Sequence, residues 1–292
     1  MSKLKIITDS NSGILQSEAK ELGIYVVPMP FTINNEEYLE EISISQNKFY
    51  DFLAQNANVT TSQPSEYYLE ELWNNLLKDN DELLYIPMSS GLSATCSNAV
   101  GYAEAFAGKV HVVDNKRISA TQKESVFEAI ELAKQGKSAT EIKKYLESTG
   151  NIQSIYITVP ELKYLKRGGR ISHAVATLGS LLNVKPILFS NGGSFDKYAM
   201  VLSMAQAKKR MIQAIKKDLE TKFKKEYEAG NMYISIAHTQ NEVEAKKFKE
   251  LIAKELPNVK IHFVDPLSLS ISCHIGPRAL GIAISINNCN KE

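Results

Sequence analysis

Short apolar runs alternate with segments of helical period along the first half of the chain. The apolar runs are LKIIT, IYVVP, ELLYIP and VHVVD, and amphipathic stretches such as SVFEAIELAKQG lie between or after them. Runs that are apolar on both faces are typical of parallel strands covered by helices on both sides. We therefore predict that residues 1–149 form an N-terminal α/β domain, an open and mostly parallel sheet with helices on both faces.

A capping box and a turn place the end of this domain near residue 149. Ser138 is followed three residues later by Glu141, which is the capping-box pattern for a helix that ends near Leu146. The sequence STGN then supplies a turn. We place the domain boundary there.

Residues 150–292 contain a second set of strands and helices and are predicted to form a C-terminal α+β domain. Asn191-Gly192-Gly193 is a hairpin signal, so we expect an antiparallel strand pair around it. A long helix is predicted from about Ser203 to Phe223, a further helix in ISHAVATLGSLL, and a final strand in GIAISI.

Composition and charge narrow the class of protein. The chain has 292 residues, of which 43% are hydrophobic and 23% charged, as is usual for a globular protein of one or two domains. A net charge of +1 gives no overall field to attract nucleic acid or an anionic membrane. The N-terminus lacks the apolar core of a signal peptide, and no apolar run approaches the roughly 20 residues of a membrane helix. We expect a cytoplasmic protein without nucleic-acid binding or stable membrane insertion.

The sequence lacks the usual signatures of cofactor and metal enzymes. It has no GxxxxGK[ST] loop, no GxGxxG after the first strand, no HExxH and no GxSxG. Three cysteines without a CxxC pair indicate neither a disulfide framework nor a zinc site. We therefore expect no cofactor and no metal. What remains is a set of Ser, Thr and Gly loops at the ends of strands.

The first such loop is TDSNSGI, directly after the first predicted strand. Ligands of open α/β sheets gather at the carboxyl ends of strands, so Asp9, Ser10 and Ser12 are candidates to line a site. Helix capping and Asx-turn chemistry explain the same residues equally well.

The second loop is VTTSQPSEYYLEEL, residues 59–72, in which hydroxyl groups precede a predicted helix. Thr61 and Ser62 are placed to donate to an anion beside the free N–H groups of the helix. Pro64 suits the start of a helix, so Ser62 or Gln63 can instead be an ordinary cap.

The third loop is SSGLSAT, which follows the apolar run that ends at Met88. Gly91 permits close backbone approach, Ser90 stands beside it, and Ser93 is expected at the start of a helix. Two hydroxyl-rich helix starts after successive strands predict a small anion site built from neutral donors.

Two further motifs lie in the second half of the chain. LKRGGRIS carries Arg167 and Arg170 around a glycine pair, and these can clamp an anion or anchor a turn between two helices. SCHIGPRALG contains His274, which is functional only if other site residues lie beside it in space.

Together, TDSNSGI, TSQPS, SSGLSAT, LKRGGRIS and HIGPRALGI, in this order and at these separations, resemble the DegV family of fatty-acid-binding proteins over essentially the whole chain. The resemblance implies two domains that enclose one long-chain fatty acid in a tunnel between them. It further implies that the carboxylate is presented to a separate ATP-dependent fatty-acid kinase and that the acyl-phosphate is carried away for lipid metabolism.

Residue by residue, the resemblance makes Thr61 and Ser93 the carboxylate-binding hydroxyls, with Ser62 and His274 beside the head group. The same hydroxyls would then both cap a helix and hold the carboxylate. From the resemblance and the apolar segments we expect a closed, narrow tunnel without a charged group, walled in part by AVATLGSLLNV and KPILF.

The sequence departs from the family pattern at two places. Arg278 occupies a position that is commonly glycine, where it either adds a positive charge near the site or points to solvent. Ser203 and Met204 stand where the family has arginines used for kinase contact, and Lys208, Lys209 and Arg210 follow one turn later.

Two other functions are compatible with these residues. A lipid sensor or carrier without a kinase partner would fit the altered helix. A lipid hydrolase would use Ser93 or a neighbouring serine as nucleophile and His274 as base. It would be labelled by a serine-directed phosphonate, whereas a carrier would not.

Overall fold

The computed structural model describes residues 3–176 and 184–289. We refer to residues 1–149 as the N-terminal half and to residues 150–292 as the C-terminal half. The strands of the N-terminal half are β1 Leu4–Asp9, β2 Tyr25–Val27, β3 Pro30–Ile33, β4 Glu36–Leu39, β5 Val59–Thr61, β6 Glu82–Ile86 and β7 Val110–Val112. Its α-helices are α1 Gln16–Glu21, α2 Gln46–Ala54, α3 Glu66–Leu76, α4 Thr95–Ala103, α5 Ala120–Lys134 and α6 Ala139–Thr149.

The first four-stranded sheet is parallel, in the order β2-β1-β6-β7, and is covered on both faces. Successive residues of β1 point to opposite sides, so Ile6 packs in one hydrophobic cluster and Ile7 in another. The cluster around Ile6 includes Val126 of α5, and the cluster around Ile7 includes Trp73 of α3. This confirms the predicted parallel α/β sheet with helices on both faces.

A three-stranded antiparallel sheet in the order β4-β3-β5 is also part of the N-terminal half. The sequence interpretation missed it, because IYVVPMPFTI reads as one apolar run although β2 and β3 belong to different sheets. Asn34 and Asn35 form the β3–β4 turn with φ of 50° and 71°, which asparagine tolerates well.

The C-terminal half contains one mixed six-stranded sheet in the order β10-β9-β8-β13-β11-β12. Its strands are β8 Gln153–Thr158, β9 Lys185–Ser190, β10 Asp196–Val201, β11 Met232–His238, β12 Lys260–Pro266 and β13 Leu280–Ile286. Its α-helices are α7 Lys163–Gly168, α8 His173–Ala176, α9 Met204–Glu220, α10 Lys224–Glu228, α11 Glu242–Glu255 and α12 Leu269–Ile275.

Several local predictions are confirmed in this half and at the end of the other. Asn191 to Gly193 join the antiparallel pair β9 and β10. Ser203 caps α9 by accepting a hydrogen bond from the backbone of Gln206. Ser138 and Glu141 form the expected capping box of α6.

Other predictions of elements were incomplete. Helix α12 was not predicted, although it carries His274. The predicted helix in ISHAVATLGSLL is seen only as α8, because residues 177–183 lie outside the described residues. The division into two domains at residues 149 and 150 stays a prediction.

Strand β13 has large residues on one face and small residues on the other. Leu280, Ile282, Ile284 and Ile286 pack in the cluster that includes α9 and α11. Gly281, Ala283 and Ser285 alternate with them and face the opposite side. Helix α5 of the N-terminal half packs near this strand, so the face of β13 that carries Gly281, Ala283 and Ser285 is turned towards the N-terminal half.

Within the described residues, no helix has both the length and the apolar character required to cross a membrane.

Candidate ligand-binding site

A cavity of about 220 Å³ lies between the two halves of the molecule. Its polar lining residues are Asn11, Thr61, Ser62, Gln63, Ser93, Arg170, Ser270 and His274. Its apolar lining residues are Met29, Met88, Leu92, Ala94, Ile118, Leu165, Phe195, Ile271 and Ile275. The four residues predicted to hold a head group, Thr61, Ser62, Ser93 and His274, therefore border one space.

The closest link within this set joins Thr61 to His274. Thr61 ends β5, which is held in register by β3, and His274 lies on the last turn of α12. The hydroxyl Oγ1 of Thr61 is 2.9 Å from Nε2 of His274, although 213 residues separate the two in sequence. This contact brings the N-terminal and C-terminal halves together at the cavity wall.

His274 is neutral near pH 7. Burial lowers the pKa of its imidazole to about 4, and the positive charges of Arg170 and Arg167 act in the same direction. A neutral imidazole has one N–H group, on Nε2 or on Nδ1. In either tautomer a single hydrogen lies between Nε2 and the Thr61 hydroxyl, donated by the ring in the first case and by Thr61 in the second. If Nε2 carries that hydrogen, Thr61 accepts it and its own hydroxyl hydrogen is free to be donated to a ligand.

Gly168 leaves the space that the His274 ring occupies. A Cβ atom built on Gly168 would overlap Nδ1 of His274 and lie 3.0 Å from Cε1. Any larger residue at position 168 must therefore displace the imidazole from its place beside Thr61. This assigns a physical reason to the first glycine of the LKRGGRIS motif.

The cap of helix α3 lies further along the chain than predicted. Ser65 accepts the hydrogen bond from the backbone of Tyr68 and is the N-cap, so neither Ser62 nor Gln63 caps the helix. The expectation that Thr61 both caps a helix and holds a carboxylate is wrong in its first part. Ser62 is exposed, and its backbone N–H donates to Pro30. The hydroxyls of Thr61 and Ser62 are thus not required to start α3.

Ser93 lies two residues before the first residue of α4. Its Oγ is 2.9 Å from Oγ1 of Thr95 and accepts a hydrogen bond of 3.2 Å from the backbone N–H of Thr95. The expectation that Ser93 begins a helix is therefore close but not correct. Ser93 supports the first turn of α4 and is also one of the residues that line the cavity.

Among the described residues that line this cavity, Arg170 is the one with a charged side chain. Its Nε donates to the carbonyl of Leu92 at 3.2 Å, and one of its terminal nitrogens donates to the carbonyl of Gly168. The first bond joins the N-terminal and C-terminal halves of the molecule. Because Arg170 lines this cavity, the expectation of a cavity without a charged group is wrong. The expectation of an anion site built from neutral donors stays a prediction.

Asp9, Ser10 and Ser12 do not line the cavity but hold residues that do. The Asp9 carboxylate accepts hydrogen bonds from the backbone N–H groups of Asn11 and Met88. Complete burial raises the pKa of Asp9 to about 6, and these hydrogen bonds act in the opposite direction. Ser10 accepts a bond from the backbone of Met29, and Ser12 donates to the carbonyl of Asp9.

Three further candidates lie away from the cavity. Ser90 donates to the carboxylate of Asp114 at 2.8 Å. Gly91 packs against the backbone of the C-terminal half, because a Cβ there would lie 2.6 Å from the carbonyl oxygen of Gly192. Arg278 is exposed, has a φ of 61° and is not among the lining residues, so of its two proposed orientations the one towards solvent is observed.

The sequence interpretation missed several lining residues. Asn11 is part of the TDSNSGI loop, but only its neighbours were chosen. Ser270 lies on α12, which was not predicted, and Phe195 lies where β10 begins. An asparagine between two chosen residues was the one available signal, whereas nothing local distinguishes Ser270 or Phe195.

A second, smaller cavity of about 50 Å³ adjoins the first. It shares four lining residues with it, namely Ile118, Phe195, Ile271 and Ile275. Its other lining residues are Ser119, Ala120, Ile155, Ile157, Ala237, Leu267, Gly281, Ile282 and Ala283, and none of the described lining residues is charged.

Comparison with known proteins places this chain in a family. The family model described as an uncharacterised protein of the DegV family matches residues 3–287. Protein DegV of Bacillus subtilis is 32% identical over 283 residues, which cover 96% of this chain and 98% of that protein.

Solved structures share the fold over nearly the whole chain. A structure described as fatty acid binding of a DegV family protein, from Thermus thermophilus, has a TM-score of 0.86 at 27% identity and covers 98% of this chain and 100% of its own. A fatty acid binding DegV family protein of Streptococcus agalactiae has a TM-score of 0.87 at 26% identity, with coverages of 99% and 100%.

Proposed function

The chain belongs to the DegV family, and we propose that it binds one long-chain fatty acid in the cavity between its two halves. The carboxylate lies at the end formed by Thr61, Ser62, Ser93 and His274, and the acyl chain extends along the apolar walls. The protein is a binding subunit and carrier, and chemistry on the carboxylate is performed by a separate ATP-dependent kinase.

The proposal rests on one observation, that polar and apolar residues line the same cavity. Hydroxyl groups of Thr61 and Ser93 and the neutral imidazole of His274 border it together with apolar side chains such as Ile118, Phe195 and Ile271. A ligand that fits both surfaces has a small polar head and a long apolar body. A fatty acid has this chemistry, and related proteins of the same fold are described as binding fatty acids.

The energies of the two ends support a division of roles. Burying about 14 methylenes of a C16 chain at roughly 0.8 kcal/mol each contributes about 11 kcal/mol before the costs of ordering the ligand. A neutral hydrogen-bond donor contributes on the order of 1 kcal/mol. The chain therefore supplies most of the affinity, and the head-group residues orient the carboxylate.

The head-group end is open to a partner. Ser62 and Ala94, which line the cavity there, are exposed at the surface. We propose that the kinase reaches the carboxylate through this side. The sequence contains no GxxxxGK[ST] loop to hold ATP phosphates, which supports a division of labour between two proteins.

The basic residues at the start of α9 support kinase docking only in part. Lys208 is buried and pairs with Glu244, so it is not available to a partner. Lys209 and Arg210 are exposed. Because Ser203 is the helix cap and Met204 packs against the core cluster, a lipid sensor or carrier without a kinase partner is the alternative function.

A hydrolase is less well supported by the contacts around Ser93. Its Oγ contacts Thr95, and the imidazole of His274 contacts Thr61. The hydrogen bond between a serine and a histidine base that nucleophilic catalysis requires is not formed between these two residues.

The test compares Thr61→Ala and Ser93→Ala with the wild type in two assays, affinity for palmitate and formation of acyl-phosphate with the cell's fatty-acid kinase. We expect each change to weaken palmitate binding by about 1 to 3 kcal/mol, because one donor to the carboxylate is lost while the chain stays buried. Acyl-phosphate formation falls further, because a loosely held carboxylate is seldom aligned for attack on ATP.

The control is Ser65→Ala, which removes a hydroxyl at the nearby helix start without touching the cavity. It leaves both assays at wild-type values. Wild-type values for Thr61→Ala and Ser93→Ala in both assays would contradict the head-group assignment. Palmitate binding without acyl-phosphate formation in the wild type would favour the sensor.

A further inference from the structure

The floor of the second cavity lies on the six-stranded sheet, where β11 and β13 contribute small residues and β8 contributes Ile155 and Ile157. On the face of β13 that is turned away from the α9–α11 cluster, Gly281 and Ala283 are the residues that line it. Gly281 pairs with Ala237 of β11 on one side and with Ile157 of β8 on the other. Strand β11 thus places Ala237 directly opposite Gly281, whereas β8 places Ile157 on its other side.

This floor results from the alternation of residues in β13. The sequence LGIAISI puts a large aliphatic side chain at every second position and Gly, Ala or Ser between them. Since neighbouring residues of a strand point to opposite faces, all the large side chains enter one core and the small ones leave space on the other. Ile118 and Ala120, at the start of α5, close the cavity from the N-terminal half.

The two cavities meet at a waist formed by Ile118, Phe195, Ile271 and Ile275. Phe195 is fixed there by its backbone, which accepts from the N–H of Ser172 and donates to the carbonyl of Arg170, both at 2.9 Å. None of the polar residues that line the first cavity is among the described lining residues of the second, in which Ser119 is the one polar side chain. Polar residues therefore line part of the first cavity, four apolar residues are shared by both cavities, and the second cavity is lined almost entirely by apolar residues.

We propose that the second cavity receives the far end of the acyl chain and that Ala237, Gly281 and Ala283 set the longest chain the protein accepts. This inference rests on the proposed function and names the specificity-determining residues of the same site. Because the cavity is small and closed by packed β-sheet, each methylene that cannot enter it stays outside the apolar site. Each such methylene lowers the affinity about fourfold, the equivalent of roughly 0.8 kcal/mol.

The test is Ala283→Leu, which adds three carbon atoms to the floor. Affinities of lipid-free protein are measured for saturated fatty acids of 10, 12, 14, 16 and 18 carbons. We expect at least a tenfold loss for 18 carbons and less than a twofold change for 10 carbons, so the preferred length shortens. Ala237→Leu, on the neighbouring strand, gives the same pattern.

The matched control is Ile284→Val, which changes the adjacent residue of β13 but on the face packed against the α9–α11 cluster. It leaves the dependence on chain length unchanged. An equal loss for all lengths in Ala283→Leu, or no loss for any, would overturn the inference. If the wild type binds none of these acids, the proposed function itself fails, which is a different result.

A second measurement does not depend on the stability of the variants. A fatty acid with bromine on its last carbon is bound to the wild-type protein, and the bromine is located by anomalous diffraction. Its position between Ala237 and Ala283 supports the inference. A bromine outside the second cavity contradicts it.

Discussion

His274 and Gly168 form a matched pair of residues. The imidazole reaches Thr61 because the residue beneath it has no side chain, and its depressed pKa keeps it neutral over the physiological range. A neutral ring can share a hydrogen with the Thr61 hydroxyl without adding a charge beside Arg170. The geometry of the Thr61–His274 contact thus depends on a glycine that does not itself line the cavity.

We expect Gly168→Ala to weaken fatty-acid binding by about 1 to 3 kcal/mol, because the new methyl group displaces His274 from Thr61. Affinity is measured by calorimetry, alone and in a His274→Ala background. In that background the ring is gone, and adding the methyl group costs no further affinity.

The control for this prediction is Gly169→Ala. Gly169 has a φ of 68°, so alanine strains the backbone by about 1 to 2 kcal/mol, but nothing lies within 4 Å of the added Cβ. This variant loses stability and keeps its affinity. Equal losses of affinity in Gly168→Ala with and without His274 would show that the ring is not the cause.

At the scale of elements, the hydroxyl-rich segment of residues 59–65 contributes to two elements, the end of β5 and the start of α3. Thr61 belongs to β5 and faces the cavity, whereas Ser65 belongs to the start of α3. Three residues separate Thr61, which lines the cavity, from the capping Ser65. The loop therefore borders the cavity and caps a helix with different residues.

Ser65→Ala should lower the free energy of unfolding by about 1 kcal/mol, because the backbone N–H of Tyr68 loses its acceptor. Urea denaturation measures this change. Ser62→Ala, which removes an exposed hydroxyl that caps no helix, is the comparison and should leave stability within about 0.5 kcal/mol. The reverse order of effects would show that the cap has been misassigned.

At the scale of the whole molecule, the last described residues return to the N-terminal half. The backbone N–H of Asn288 donates to Glu128 of α5 at 3.2 Å, and the Asn287 side chain donates to Glu124 at 3.0 Å. Glu128 also pairs with Arg117 at 3.3 Å, and both side chains are fully buried. The cavity is thus enclosed by halves that are joined at more than one place.

Glu128→Ala should lower the free energy of unfolding by about 3 to 5 kcal/mol, because Arg117 is left buried without its carboxylate. Replacing both by apolar residues, as in Arg117→Met with Glu128→Leu, should recover most of the loss. Urea denaturation at pH 7 provides the values.

Glu131→Ala, one turn further along α5, is the matched control. Glu131 pairs with Lys134 near the surface, and such pairs contribute at most about 1 kcal/mol. If Glu128→Ala costs no more than Glu131→Ala, the buried pair does not hold this region together.

The sequence alone determined features that depend on neighbouring residues. Apolar runs predicted the parallel sheet, the Ser138 and Glu141 pattern predicted a capping box, and Asn-Gly-Gly predicted the β9–β10 hairpin. These succeed because strand burial, capping and tight turns are decided within a few residues. The loops that border the cavity were also found, since polar loops gather at the carboxyl ends of parallel strands.

Only the tertiary structure decided which of these residues meet. Thr61 and His274 are 213 residues apart, and their contact depends on α12, a short helix that was not predicted. The small face of β13 is visible in LGIAISI, but whether it faces a cavity or a packed helix depends on where α5 of the other half lies. Such contacts arise from packing between distant elements, and a local sequence pattern contains no record of that packing.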